Sequence, residues 1–209
     1  MCAIMIVFYA GFAVNRNPLA IADAQTISAA NEDDTISNEK VIYLTFDDGP
    51  SDRVTPKILD VLKDEGVKAT FFIIGKNAET RKYLVRREIE EGHSVAVHSY
   101  SHDYKEIYSC PEKLIKDIDK CNAVIKDITG KKSKIYRFPG GSFWLRDELI
   151  KAVTAHGMRY VDWNASTRDA ELINPTPAEL YKSAINTPAN RDLIVLLAHD
   201  STTRTSTAQ

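Results

Sequence analysis

Two successive carboxylates, Asp47 and Asp48, stand where an apolar run over 41–46 meets the turn-forming pair Gly49-Pro50. Neighbouring strand residues point to opposite faces, so both acids can serve one site only if the strand ends there, and Gly49-Pro50 is the chemistry that ends strands. One carboxylate can then hold a metal ion while the other takes a proton; the plainer alternative is a solvated Asp-Asp-Gly turn. A second cluster, His98-Ser99-Tyr100-Ser101-His102, follows the run 94–97. Two imidazoles four residues apart can converge on one ion if the segment coils, and this is the single close pair among the five histidines. His93 precedes a strand and His156 ends a helical pattern beside Gly157, so both read as structural boundary residues.

The elements that must position these groups alternate along the chain. Strands are predicted over 41–46, 69–74, 94–98, 133–137, 158–163 and 193–198. Helices are predicted from Thr55-Pro56 to Gly66, with Thr55 as N-cap, and over 78–91, 111–128, 145–156 and 177–186. The continuous apolar run 69–74 marks a strand buried on both faces. Strand–helix alternation implies a parallel sheet with right-handed crossovers, and six such strands in under 170 residues favour an incomplete α/β barrel over an open sheet. Chemistry in that architecture collects at the C-terminal ends of strands. Asp47, Asp48, His98, Arg137 and His199 all fall at such ends.

At this point the chain resembles a known family, the polysaccharide deacetylases with the NodB homology domain, carbohydrate esterase family 4. The resemblance covers about residues 41–201 and rests on five motifs in order. Thr45-Phe46-Asp47-Asp48-Gly49-Pro50 is similar to the first and His98-Ser99-Tyr100-Ser101-His102 to the second. Arg137-Phe138-Pro139-Gly140-Gly141 is similar to the third, the segment around Asp169 to the fourth, and Leu197-Ala198-His199 to the fifth. It implies a NodB-type barrel that hydrolyses an N-acetyl group on an amino sugar. The metal set would be Asp48, His98 and His102, which suits Zn2+ or another divalent transition metal.

By the same resemblance Asp47 is the general base and Arg137 holds it. His199 is the general acid and Asp169 orients it, with Asp162 as the rival for that task. Pro139 and Gly140 border the substrate, and a backbone N–H such as that of Gly140 approaches the oxyanion. Trp163 and Leu197 line the acetyl pocket. Many members carry an aromatic residue directly after the fourth-motif acid, where this chain has Ala170. Either Trp163 supplies that wall or the pocket is wider.

With 209 residues, 44% hydrophobic and 27% charged, the chain suits one domain with a sizeable core. A net charge of -2 offers no case for nucleic acid, so the expected partner is a polysaccharide or oligosaccharide, met by a monomer. Residues 1–24 read as a signal peptide or a membrane anchor: the first fourteen carry no charge, and Ala22-Asp23-Ala24 offers a cleavage-type spacing. A secreted or cell-surface location follows from either. Residues 25–38 are a polar linker and 39–209 the catalytic domain, and family domains usually continue past the fifth motif with a helix and strand that are expected to be lacking here. Cys110 and Cys121 lie about 16 Å apart along one predicted helix, too far to bridge, and read as packing residues.

Two other functions share these residues. One is a catalytically inactive carbohydrate-binding remnant and the other an O-acetyl (acetylxylan) esterase. The aromatic residues show no sugar-stacking stripe along the sequence.

Overall fold

The computed structural model describes residues 12–14, 40–187, 191–202 and 207. The predicted leader and linker lie outside those residues, except for strand β1 (Phe12–Val14), whose backbone pairs in parallel with 40–42. Strands β2 (Lys40–Asp47), β3 (Ala69–Ile74), β4 (Ser94–Ser99), β5 (Ile135–Tyr136), β6 (Arg159–Tyr160), β7 (Ala165–Ser166) and β8 (Leu193–His199) form one parallel sheet in the order β6-β5-β4-β3-β2-β8-β7.

The connectivity requires that this sheet curl. Flat, seven strands would put β6 and β7 roughly 29 Å apart, whereas the five Cα steps from Tyr160 to Ala165 reach at most about 19 Å. The result is the incomplete α/β barrel expected from the alternation. Among the described residues the strands at the two ends of this order have two residues each, too short to template pairing with another chain. Strand β3 is buried at all six positions, as its unbroken apolar run predicts. Phe71 and Ile73 face the larger core with Leu59, Ile118 and Val124, while Phe72 joins Tyr43, Ala96 and Val161 inside the curl.

Helices α1 (Thr55–Asp64), α2 (Gly75–Thr80), α3 (Lys82–Glu90), α4 (Tyr104–Ile107), α5 (Pro111–Thr129), α6 (Asp147–Ala155) and α7 (Pro177–Asn186) fill the crossovers. Helix α5 buries Leu114, Ile118, Cys121 and Ile125 on one face and stops at Gly130, whose φ of +81° an L side chain rarely adopts. Helix α7 opens on a capping box between Thr176 and Glu179.

Several boundaries differ from the sequence reading. The helix expected over 78–91 is two helices broken at Arg81, where φ -130° and ψ 39° leave the helical region. The strands expected over 133–137 and 158–163 shrink to two residues each, and β7 and α4 were not foreseen. Thr55 is not the N-cap of α1; Val54 holds that position, and the Thr55 hydroxyl is turned to another task described below. Cys110 and Cys121 are both free, with Cys121 buried in the core.

Candidate active site

Strand β2 ends as its residues require. Asp47 is still in the strand and faces inward, whereas Asp48 takes a left-handed φ of +74°, which breaks the alternation and turns the second carboxylate into the same mouth. His102 also adopts a left-handed φ, +57°. Such backbone is uncommon for non-glycine residues and needs support from its surroundings. Asp117, half-buried beside the apolar stripe of α5, supplies it: its carboxylate accepts from the Ser99 hydroxyl (2.6 Å) and the Tyr100 (2.7 Å) and Ser101 (2.9 Å) N–H groups. Ser99 Oγ then accepts from His102 N at 2.9 Å.

That loop delivers His98 and His102 to Asp48. Their Nε2 atoms stand 3.3 and 3.1 Å from the same oxygen, Asp48 Oδ1, and one ligand atom from each of the three residues lies within 4.8 Å of the others. His98 Nδ1 is 2.9 Å from the Arg137 carbonyl. A carbonyl can only accept, so Nδ1 carries a proton and Nε2 is the ring atom turned toward Asp48, the one available for ligation. Asp48 Oδ1 is buried without a hydrogen-bond partner among the described residues. Burial works to raise the Asp48 pKa, but the two imidazoles outweigh it and hold the carboxyl well below the usual range. Three donor atoms, the orphaned Asp48 oxygen and the two imidazole nitrogens beside it, fit a divalent cation.

Beside this trio, Asp47 is fixed from below by Arg137. The guanidinium is wholly buried: Nη1 donates to Asp47 Oδ1 (2.9 Å) and Thr45 Oγ1 (2.7 Å), Nε to Val161 O (2.9 Å) and Nη2 to Asp162 O (3.3 Å). It also lies over the Phe72 ring at 4.1 Å. Arg137 meets Asp47 through one nitrogen, so the grip is shared with Thr45 and the backbone of 161–162.

Register brings the last histidine in. Asp47 pairs with His199 across β2 and β8, so both face the mouth from adjacent strands. Asp169 Oδ1 accepts from His199 Nδ1 at 2.7 Å, and its Oδ2 accepts from His199 N (2.8 Å) and Thr207 Oγ1 (2.7 Å). Burial opposes charge on His199, yet Asp169 overcomes it and raises the imidazole to about 9. Asp169, not Asp162, is the partner of His199. Asp162 accepts instead from the Ser142 N–H (3.0 Å) and hydroxyl.

The third-motif loop lies along one side of the mouth. Gly140 and Gly141 have φ of +78° and +83°, and a Cβ on Gly141 would come within 2.8 Å of Phe143 and 3.0 Å of Trp163. The Gly140 N–H meets no protein acceptor among the described residues, leaving it available to a substrate oxygen. Pro139 is buried, and its carbonyl accepts from Tyr108 Oη at 2.7 Å. Trp163 is half-buried with its ring 5.7 Å from the Arg137 guanidinium, and Leu197 is buried in register with Thr45. Ala170 is exposed.

The family model for polysaccharide deacetylases matches residues 34–161. The chain belongs to the polysaccharide deacetylase family. Among members, a peptidoglycan-N-acetylglucosamine deacetylase of Bacillus cereus is 35% identical over 166 residues, covering 77% of this chain and 60% of that protein. The chain spans 48% of another relative, from Bacillus subtilis. Among solved family structures, the catalytic domain of a peptidoglycan N-acetylglucosamine deacetylase from Eubacterium rectale superposes with a TM-score of 0.75 at 34% identity, covering 87% of this chain and 86% of that one. A Streptococcus mutans CE4 esterase gives a TM-score of 0.78 at 31% identity over 93% and 87% of the two chains.

Several members of the site escaped the sequence. Asp117 is a half-buried acid bordering the apolar face of an amphipathic helix, a placement that signals an acceptor task. Asp200 follows His199, and its N–H donates to Asp47 O at 3.1 Å. Its carbonyl accepts from Ser51 Oγ (2.6 Å), and its Oδ2 from the Thr55 hydroxyl (2.6 Å). Asp200 thereby ties the β2 turn to the end of β8, and burial, reinforced by Asp48, raises its carboxyl to about 7. An aromatic rim, which no stripe along the sequence announces, is the third omission. Tyr104 stands edge-on to His102 at 5.2 Å, and Phe143 to Trp163 at 5.6 Å.

Proposed function

We propose that this family member is a metal-dependent deacetylase that hydrolyses N-acetyl groups on N-acetylglucosamine-type residues of a cell-wall polysaccharide, peptidoglycan or a chitin-like polymer. The observation that carries the reading is the pairing of Asp47, clamped by Arg137, with the Asp48–His98–His102 trio at the same strand ends. One carboxylate and two imidazoles suit zinc best, and a three-residue set leaves positions for water and substrate. Bound zinc would polarise the acetyl carbonyl and acidify the attacking water.

The protein's own groups do the rest. Asp47, held in place by Arg137, accepts the proton released as the water oxygen bonds to the carbonyl carbon. The Gly140 N–H donates to the carbonyl oxygen as it gains charge. His199, with Nδ1 committed to Asp169, delivers a proton from Nε2 to the nitrogen as the C–N bond breaks. Acetate and a free amine leave. A cell-wall substrate lies outside the membrane, which agrees with residues 1–24 acting as an export leader or an anchor. Among the described residues no helix is long and apolar enough to cross a membrane.

The test offers zinc-loaded protein three substrates: N-acetylglucosamine oligomers, peptidoglycan and O-acetylated xylan. Acetate from the amides supports the reading, and acetate from the xylan ester alone replaces it with an esterase. Sugar binding without release from any of them makes the chain a carbohydrate-binding remnant.

A further inference from the structure

Residues 142–145 form a turn, closed by Leu145 N donating to Ser142 O at 3.1 Å, and its two central positions are Phe143 and Trp144. Turn centres ordinarily carry Gly, Pro, Asn, Asp or Ser. Two large rings here are costly in water: Phe143 is 57% exposed and Trp144 91%. The turn is also anchored at both ends. Ser142 is bound through its N–H and hydroxyl by Asp162, and Arg146 Nη2 donates to Tyr108 O (3.0 Å) and Ser109 O (3.2 Å).

The platform is continuous with the catalytic mouth. Phe143 packs edge-on against Trp163, Trp163 lies beside the Arg137 that grips Asp47, and Gly141 joins the turn to the Gly140 N–H. Neither ring carries charge. Sugar rings present flat C–H faces to aromatic planes, and a polymer threaded through the mouth must lay its neighbouring units along the rim. We propose that Phe143 and Trp144 form a second carbohydrate subsite, a stacking platform for a sugar ring of the same glycan chain adjacent to the unit being deacetylated. This rests on the deacetylase reading and extends it to substrate length.

The experiment compares zinc-loaded unaltered protein with Trp144→Ala and Trp144→Phe on N-acetylglucosamine oligomers of two to six units. The expected result is that the ratio of kcat/KM for long over short oligomers falls about threefold to tenfold in Trp144→Ala and is largely kept in Trp144→Phe. Intrinsic fluorescence gives a readout independent of turnover, because the chain has only two tryptophans. Long oligomers should shift the emission of the unaltered protein to the blue, and Trp144→Ala should lose that shift. An unchanged ratio with no Trp144-dependent shift overturns the subsite. Dependence on Trp144 seen only with peptide-bearing peptidoglycan fragments overturns its assignment to sugar. Absence of acetate release from every oligomer would sink the deacetylase reading, while the fluorescence shift would still decide the platform.

Discussion

Arg137 Nη1 and Asp47 Oδ1 meet 2.9 Å apart in the interior of the curled sheet, with both side chains almost wholly sealed from water. The same arginine accepts from His98 Nδ1 through its carbonyl and donates to the 161–162 backbone that joins the sheet's two edges. The proposed base, a proposed metal ligand and barrel closure therefore share one residue.

Replacing that residue should damage the fold as well as the site. Arg137→Met leaves the Asp47 carboxylate buried without its partner and should lower stability by about 3–5 kcal/mol in urea unfolding. Arg137→Lys keeps the charge but not the planar fork, and should lose less stability while still impairing turnover. Equal stability of Arg137→Met and the unaltered chain would contradict this geometry.

The His199–Asp169 pair sets a basic limit. The imidazole is raised to about 9, so its contribution to stability is complete below about pH 6.5, its unfolded value, and is lost as pH rises through 9. The acid form that the proposed protonation of the amine requires disappears over the same window. Asp169→Asn keeps an acceptor but removes the charge, and should move the basic limb of the kcat/KM profile from near 9 toward 6.5. A limb that stays put would exclude His199 as the acid.

Gly49 and Asp200 should be coupled. A Cβ at Gly49 would lie 2.0 Å from Asp200 Oδ2 and 2.4 Å from its Cγ, so the Asp200 side chain would have to move. Gly49→Ala alone should cost about 1–3 kcal/mol, and combining it with Asp200→Ala should recover part of that loss. Strict additivity in thermal unfolding would show that the two residues do not touch.

Glu88 is a liability that substitution should relieve. It is fully buried, and neither carboxylate oxygen has a hydrogen-bond partner among the described residues. Burial, with the nearby Asp200 charge, pushes its pKa well above the ordinary value. A raised carboxyl favours the fold most below about pH 4.5 and progressively less as pH rises through its folded value. Glu88→Met should therefore stabilise the protein by about 1–3 kcal/mol at pH 8 and by less at pH 4 in urea unfolding. Destabilisation at both would mean that the carboxyl serves a partner.

Much of this layout is legible along the chain because the signals are local. The unbroken run Ala69–Ile74 and the proline-headed Pro177–Asn186 carry their own boundaries, and Gly49-Pro50 announces the strand end that brings Asp47 and Asp48 together. Ala165–Ser166 has no pattern, because two residues pair with β8 only once the sheet has curled. Thr55 has the residue type of a cap, yet its hydroxyl reaches Asp200, 145 positions away. Tyr104, Phe143 and Trp163 form no stripe in sequence, since one short helix and two separate loops bring them to one rim.

The central claim is that Asp47 removes a proton beside a metal held by Asp48, His98 and His102. The direct measurement is acetate release from an N-acetylglucosamine oligomer by zinc-loaded protein and by Asp47→Asn, with zinc content determined on both. The account predicts equal zinc in the two proteins, with release in the variant slowed at least about 100-fold. Turnover surviving in Asp47→Asn, or none from an unaltered chain that holds its zinc, would contradict it.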